Sequence, residues 1–349
     1  MKINIYTMLK TLLFTIQNGK NLSSGMQLLA NTAKTKREKN TYIKINDDLK
    51  DGKSFSEALS RHKIGSLDVI QFITMAEKGV NFKTALEKII RYLEVKDKFQ
   101  RESSDQTTLP VIYFSIASLV VLGVKFVAVP MQMKKASEFT PEIIKLISGH
   151  LHLAQVLTDI LFILLVLVAS YFFILLAALF NQSRRVQALT KQIALVLPFS
   201  SAIIVKFEKF MLFSMLGEML ESGVTFKKAM TSALETTTIG KFAKAILETL
   251  NSIKYEGKFI FHSYLYDDVE KALLTGVGSS KQIGSVMLEI SSRARTDAMQ
   301  LSSNFFRMIT ILSIFLMAFA VFIEFYTVVL TQILIQKGLI DMSRGVNIG

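Results

Sequence analysis

The chain has no cysteine and no tryptophan in 349 residues, and only four prolines and four histidines. Without cysteine there is no disulfide framework, no thiolate nucleophile and no Cys-ligated metal. That fits polar segments living in a reducing compartment. His62, His150, His152 and His262 are little raw material for a metal centre. His150 and His152 lie two apart beside an apolar stretch and read as an interfacial pair rather than as ligands. The opening MKINIYTMLKTLLFTIQNGK is interrupted by Lys10 and followed by no small-residue cleavage site. It does not read as a secretory signal, so the first segment is expected to stay on the side where it is made.

What is present is apolar length. Half the residues are hydrophobic and the mean hydropathy is +0.39. The excess lies in three stretches, 109–131, 156–180 and 308–334. Each exceeds the ~20 apolar residues needed to cross ~30 Å of hydrocarbon as a helix, so the chain reads as an integral membrane protein. Of its lysines and arginines, 19 fall in residues 1–108 and 16 in residues 181–307. Lys96, Lys98 and Arg101 precede the first stretch, Arg184 and Arg185 follow the second, and Arg293, Arg295 and Arg307 precede the third. The positive-inside rule then puts both polar segments in the cytoplasm. Basic flanks beside anionic lipid account for most of the net charge of +13. No basic-aromatic interleaving or groove-reading helix points to nucleic acid.

The expected organisation is a polar lobe at 1–108, a span at 109–131, an outer connector at 132–155 and a second span at 156–180. A second lobe follows at 181–307, then a third span at 308–334 and an outer tail at 335–349. The lobes read as all-α. In 5–17 the apolar residues Ile5, Leu9, Leu12, Leu13 and Ile16 recur at helical spacing, and Asn18-Gly19 ends that helix. Ser23 or Ser24 is expected to cap the next helix, and a third begins near Tyr42 and stops at Asp51-Gly52. Ser54 caps a short fourth helix, with Glu57 completing a capping box. Two more cover 66–77 and 82–100. In the second lobe an amphipathic helix over 207–221 ends at Ser222-Gly223. A final helix near 283–305 runs into the third span. Thr140-Pro141-Glu142 marks a helix start in the connector.

The lobes look like diverged copies. Gly19 to Gly223 is 204 residues and Gly52 to Gly257 is 205, a near-constant offset across two turns. In the first lobe the shared pattern is Asn18, Gly19, Leu22 and Leu28, then Gly52 to Leu59, then Ala76-Glu77-Lys78-Gly79 with Phe82, Leu86 and Tyr92-Leu93. In the second it is Ser222, Gly223, Val224 and Met230, then Gly257-Lys258-Phe259, then Gly276-Val277-Gly278 with Ile283 and Met287. Together with the lobe–span–span–lobe–span order, this resembles the inner-membrane platform protein of type II secretion systems and type IV pili, the type II secretion protein F family. The short segment before the first repeat is most similar to the compact platforms of type IVb pili. The second lobe departs in lacking a counterpart of Glu77 and in following its Gly257 turn with Phe259-Ile260-Phe261.

The resemblance implies six-helix lobes in the bacterial inner membrane that contact a hexameric secretion ATPase. It also implies pilin or pseudopilin subunits, other inner-membrane assembly proteins and membrane lipids as partners, and a homo-oligomer. The implied function is an assembly platform whose lobes move the spans and lift a pilin into a growing fibre. A membrane transporter or channel built from pooled spans is the alternative.

Other motifs exclude more than they propose. Gly52-Lys53-Ser54 invites a phosphate-loop reading, but the position five residues before Gly52 is Asp47 rather than glycine, and no strand precedes it. No Ser-His-Asp, paired-carboxylate or metal-helix constellation is present, so neither an enzyme nor a cofactor is expected. Glu324 sits mid-span, where an ionisable residue is costly and faces protein or water. Lys125 in the first span and Asp159 in the second lie near span ends. A Glu324–Lys125 salt bridge is one expectation for these groups. Gly19, Gly52, Glu57, Glu77, Gly223, Gly257, Glu324 and Lys125 are thus the candidate structural or interaction residues.

Overall fold

The computed structural model describes residues 3–78, 81–139, 141–180, 184–255 and 264–343. Among these there are helices and turns and no strand. In chain order the helices are α1 (Ile5–Gln17), α2 (Leu22–Thr32), α3 (Lys36–Lys50), α4 (Phe55–Arg61), α5 (Leu67–Glu77) and α6 (Phe82–Gly123). A π turn, Val124–Ala128, joins α6 to α7 (Val129–Ala136). There follow α8 (Pro141–Phe180), α9 (Arg184–Val196), α10 (Ser200–Glu221), α11 (Phe226–Thr236), α12 (Gly240–Tyr255), α13 (Asp268–Thr275) and α14 (Ser280–Ser343). The chain divides into two compact units, residues 1–102 with 195–299, and residues 103–194 with 300–349.

In the first unit both lobes pack into one body. Helix α1 buries Met8, Leu9 and Leu12, the stripe its spacing sets. Helix α2 lies against it so closely that a Cβ on Gly25 would sit 2.6 Å from Leu12 Cδ2. Two start signals differ from those expected. Asn21, not a serine, caps α2, its side chain accepting from Ser24 N–H. Helix α3 begins at Lys36 rather than near Tyr42, because Thr35 caps it by accepting from Glu38 N–H. Its first turns, KREKN, are wholly polar, so apolar spacing could not reveal them.

Helix α10 also departs from its expected amphipathic form. It starts at Ser200 and is buried on nearly every side, including Phe207, Phe210, Phe213, Leu216 and Met219. An all-round buried helix is one with protein on all faces. Lobe one supplies part of that cover through Phe99 of α6, whose ring centroid is 5.1 Å from Phe207 and 4.9 Å from Phe210. On another face α10 crosses α14 at two glycines. A Cβ on Gly217 would lie 2.9 Å from the Gly284 carbonyl oxygen, and one on Gly284 would lie 3.1 Å from Gly217 O. Only hydrogen side chains permit that backbone approach.

In the second unit three helical runs are long and apolar enough to cross a membrane: Phe82–Ala136, Ile143–Leu179 and Ser280–Ile340. Buried Phe172 of α8 holds them together. Its ring lies 5.9 Å from Phe114 of α6 and edge-on to Phe306 of α14 at 6.3 Å. The connector is helical from Pro141, and it is one helix with the second span. Its residues Ile143, Ile147 and Leu151 pack with Ala136, Phe139, Leu334 and Ile335. His150 Nδ1 lies 3.4 Å from the Tyr326 hydroxyl.

Candidate functional site

Three turn glycines do the same work. Gly19, Gly52 and Gly223 have φ of +73°, +83° and +96°. At each helix end the glycine N–H returns to a carbonyl three residues back, and the next N–H to one five back. The pairs are Gly19 to Ile16 and Lys20 to Thr15, Gly52 to Leu49 and Lys53 to Asp48, and Gly223 to Leu220 and Val224 to Met219. This left-handed cap satisfies the last carbonyls and turns the chain sharply. Gly257 lies outside the described residues.

Glu77 has a definite task that the sequence did not disclose. At the end of α5 its carboxylate accepts from Phe55 N–H at 2.6 Å, from Ser56 N–H at 3.3 Å and from the Ser56 hydroxyl. A carboxylate on the free amides of a helix start combines hydrogen bonding with the helix dipole. Ser54 caps α4 as expected, accepting from Glu57 N–H. No return bond from Ser54 N–H to Glu57 completes a capping box, and Glu77 takes the next two amides from across the lobe. The reciprocal box belongs instead to lobe two, between Asp267 and Glu270.

Around these turns sit polar clasps. Asp48 of α3 accepts from Lys53 Nζ at 2.5 Å and Arg61 at 2.9 Å, with His62 Nε2 at 2.8 Å. The Lys53 bond leads in holding its carboxyl down at about 2. Asp68 of α5 meets Lys96 Nζ at 2.7 Å and the Tyr92 hydroxyl at 2.5 Å. Burial pushes Asp68 up, but Lys96 and the surrounding donors outweigh it and hold the carboxyl at about 2. Burial raises the Tyr92 hydroxyl well above its usual value. In lobe two, buried Lys209 donates to Glu270 at 2.5 Å, and Glu208 accepts from the Thr238 hydroxyl and N–H.

The site proper is the seam where the lobes meet. Lys88 of α6 donates to Glu221 of α10 and lies 3.6 Å from Glu218 Oε2, and Arg91 Nε is 3.9 Å from Glu218 Oε1. Ser285 of α14 donates to Glu221 at 3.4 Å. Farther along, Arg295 of α14 donates to Glu102 of α6. Glu218 is 2% exposed and its Oε2 has no hydrogen-bond partner. Burial raises its carboxyl above the usual range despite the two cations. Among the described residues no cluster of three or more His, Asp or Glu is placed to hold a metal.

The intramembrane groups pair differently from the expectation. Lys125 Nζ donates to Asp159 Oδ1 at 2.7 Å and stands 4.4 Å from the centre of the Phe162 ring. Asp159 therefore takes the place foreseen for Glu324. Lys125 is carried on the π turn. Pro130 has no N–H to return to the Phe126 carbonyl, so the helix widens ahead of it, with Val129 N–H reaching Val124 O. A cleft of ≈ 160 Å³ beside the pair is lined by Pro130, Gln155 and Thr158. Glu324 is exposed on α14 and has no partner among the described residues.

The fold thus defines an all-helical protein with three helices long and apolar enough to cross a membrane, and with residues of both polar lobes in one compact unit. Residues 8–130 match the family described as Type II secretion system (T2SS), protein F. That match, over about a third of the chain, agrees with the resemblance to the type II secretion and type IV pilus platform family. Members of that family are inner-membrane components of secretion and pilus systems. No curated protein matches the chain.

Proposed function

We propose that this protein is the inner-membrane assembly platform of a type IV pilus or a related type II secretion machine. In this reading it couples a hexameric cytoplasmic ATPase to the extraction of pilin or pseudopilin subunits from the bilayer. The observation that carries it is the protein F domain over residues 8–130, which takes in lobe one and the first span together. Residues 1–108 and 181–307 face the cytoplasm, as the basic flanks favour, and the connector and tail face outward. Two features support the coupling. The lobes form one body, so a motor acting on either moves both. Helices α6 and α14 run unbroken from lobe residues into the spans, so a displacement is passed on by helix rather than by loop. The chain supplies no chemistry of its own, and the ATPase supplies the work. A homo-oligomer would share the axis of that hexamer and of the fibre.

The test is removal of the gene from a host that displays fibres, followed by complementation. Loss of surface fibres, restored by the intact chain, together with co-purification of the full chain with the host's fibre-assembly ATPase, is the expected result. Normal fibres in the deletion strain, or solute flux through the reconstituted protein, would point to the transporter reading.

A further inference from the structure

The first turn of α9 begins four residues after the last residue of α8, the helix of the second span. Four Cα steps reach no more than about 15 Å, so α9 starts close to the membrane boundary. Its composition suits that position. It carries Arg184, Arg185 and Lys191 and no acidic residue. Val186, Leu189, Ile193 and Val196 are exposed, at 41, 62, 49 and 85%. Spaced by three, four and three, they fall in one stripe along the helix. Ala194 and Lys191 are buried on the opposite side. Single exposed aliphatic residues are ordinary, but a full stripe of them on one helix face marks a binding surface. A cationic helix with one aliphatic face and low overall hydrophobicity is the form that lies in the plane of a bilayer interface.

We infer that α9 is an in-plane membrane anchor. Its Val186–Leu189–Ile193–Val196 face is seated among the acyl chains at the headgroup boundary, on the side of the second span that carries lobe two. The occupant of this face is lipid, and anionic headgroups complement the basic first turn. This goes beyond the platform reading and does not depend on it, since it requires only that the second span cross the membrane.

The absence of cysteine makes the test direct, because one introduced cysteine is the only labelling site. Leu189→Cys, Ile193→Cys and Gln192→Cys would each be spin-labelled in the full chain and reconstituted in nanodiscs containing phosphatidylglycerol. Collisions with oxygen, which concentrates in the bilayer, and with a water-soluble nickel chelate would be compared. Gln192 is exposed but lies off the stripe. The expected result is a several-fold higher oxygen-to-nickel ratio at 189 and 193 than at 192. Equal ratios at all three would mean that the face is in water, and shielding of 189 and 193 from both reagents would mean that protein covers it. Either would overturn the proposal.

Discussion

Lobe one and lobe two turn the chain in the same way but lock it with different chemistry. Gly19 and Gly223 close their helices with the same pair of backbone bonds. In each lobe an acid in the first turn of the helix before the long one takes a lysine, Asp68 in α5 and Glu270 in α13. The lysine comes from α6 in lobe one, as Lys96, and from α10 in lobe two, as Lys209. The first pair is partly exposed, at 22 and 16%, and shared with Tyr92, whereas the second is more deeply buried, at 10 and 6%. The two lobes thus share the backbone turn, which a positive φ allows, and differ in the side chains that clasp it.

The comparison breaks most sharply at those lysines. Lys209→Met leaves Glu270 buried without its cation, which costs about 3–5 kcal/mol. Lys96→Met leaves Asp68 with the Tyr92 hydroxyl and partial access to water, and the loss is smaller, about 1–3 kcal/mol. Melting temperatures of the detergent-solubilised variants check the order. Equal losses would remove the distinction between the lobes. Adding Glu270→Met to Lys209→Met is expected to recover part of the loss.

Helix approach provides the next contrast. Gly217→Ala sets a Cβ 2.6 Å from Leu288 Cγ and 2.9 Å from the Gly284 carbonyl oxygen, so backbone must move. The cost is about 1–3 kcal/mol, as for other overpacked cores. Gly25→Ala in lobe one meets chiefly the tip of the Leu12 side chain. That tip can swing, so its melting temperature falls less.

Glu77→Ala removes the carboxylate from the α4 amides and is expected to cost about 1–2 kcal/mol. Glu57→Ala stays within about 0.5 kcal/mol, as for most surface changes. The reverse order in thermal unfolding would restore the capping box to Glu57.

These cases also show what was readable in the sequence. Apolar length and spacing sufficed for the spans and for α1, because both are set by local composition. Glycine turns were legible because left-handed backbone favours one residue type. Glu77 was visible as part of the lobe-one pattern but not as a cap, since its partners lie more than 20 residues away. The same holds for Lys125, whose choice of Asp159 over Glu324 depends on how the spans pack. The burial of α10 was hidden because both lobes share its cover.

The smallest effect is the most informative about the seam, because its sign opposes that of the clasps. Asp48 and Asp68 have folded values of about 2, below the ordinary carboxylate value. Their stabilisation is present above about pH 4 and is lost as the pH falls toward 2. Glu218 is raised instead, by burial. Its contribution is fully present below its ordinary value and is lost as pH rises through the folded value. Burial disfavours the ionised carboxylate, and Lys88 and Arg91 offset only part of that. Glu218→Gln keeps the shape and removes the charge, and Lys88 retains Glu221. The variant should melt no lower than the parent at pH 7 and at the same temperature near pH 4, with a flatter profile between. A variant that melts well below the parent at pH 7 would mean that the two cations outweigh burial.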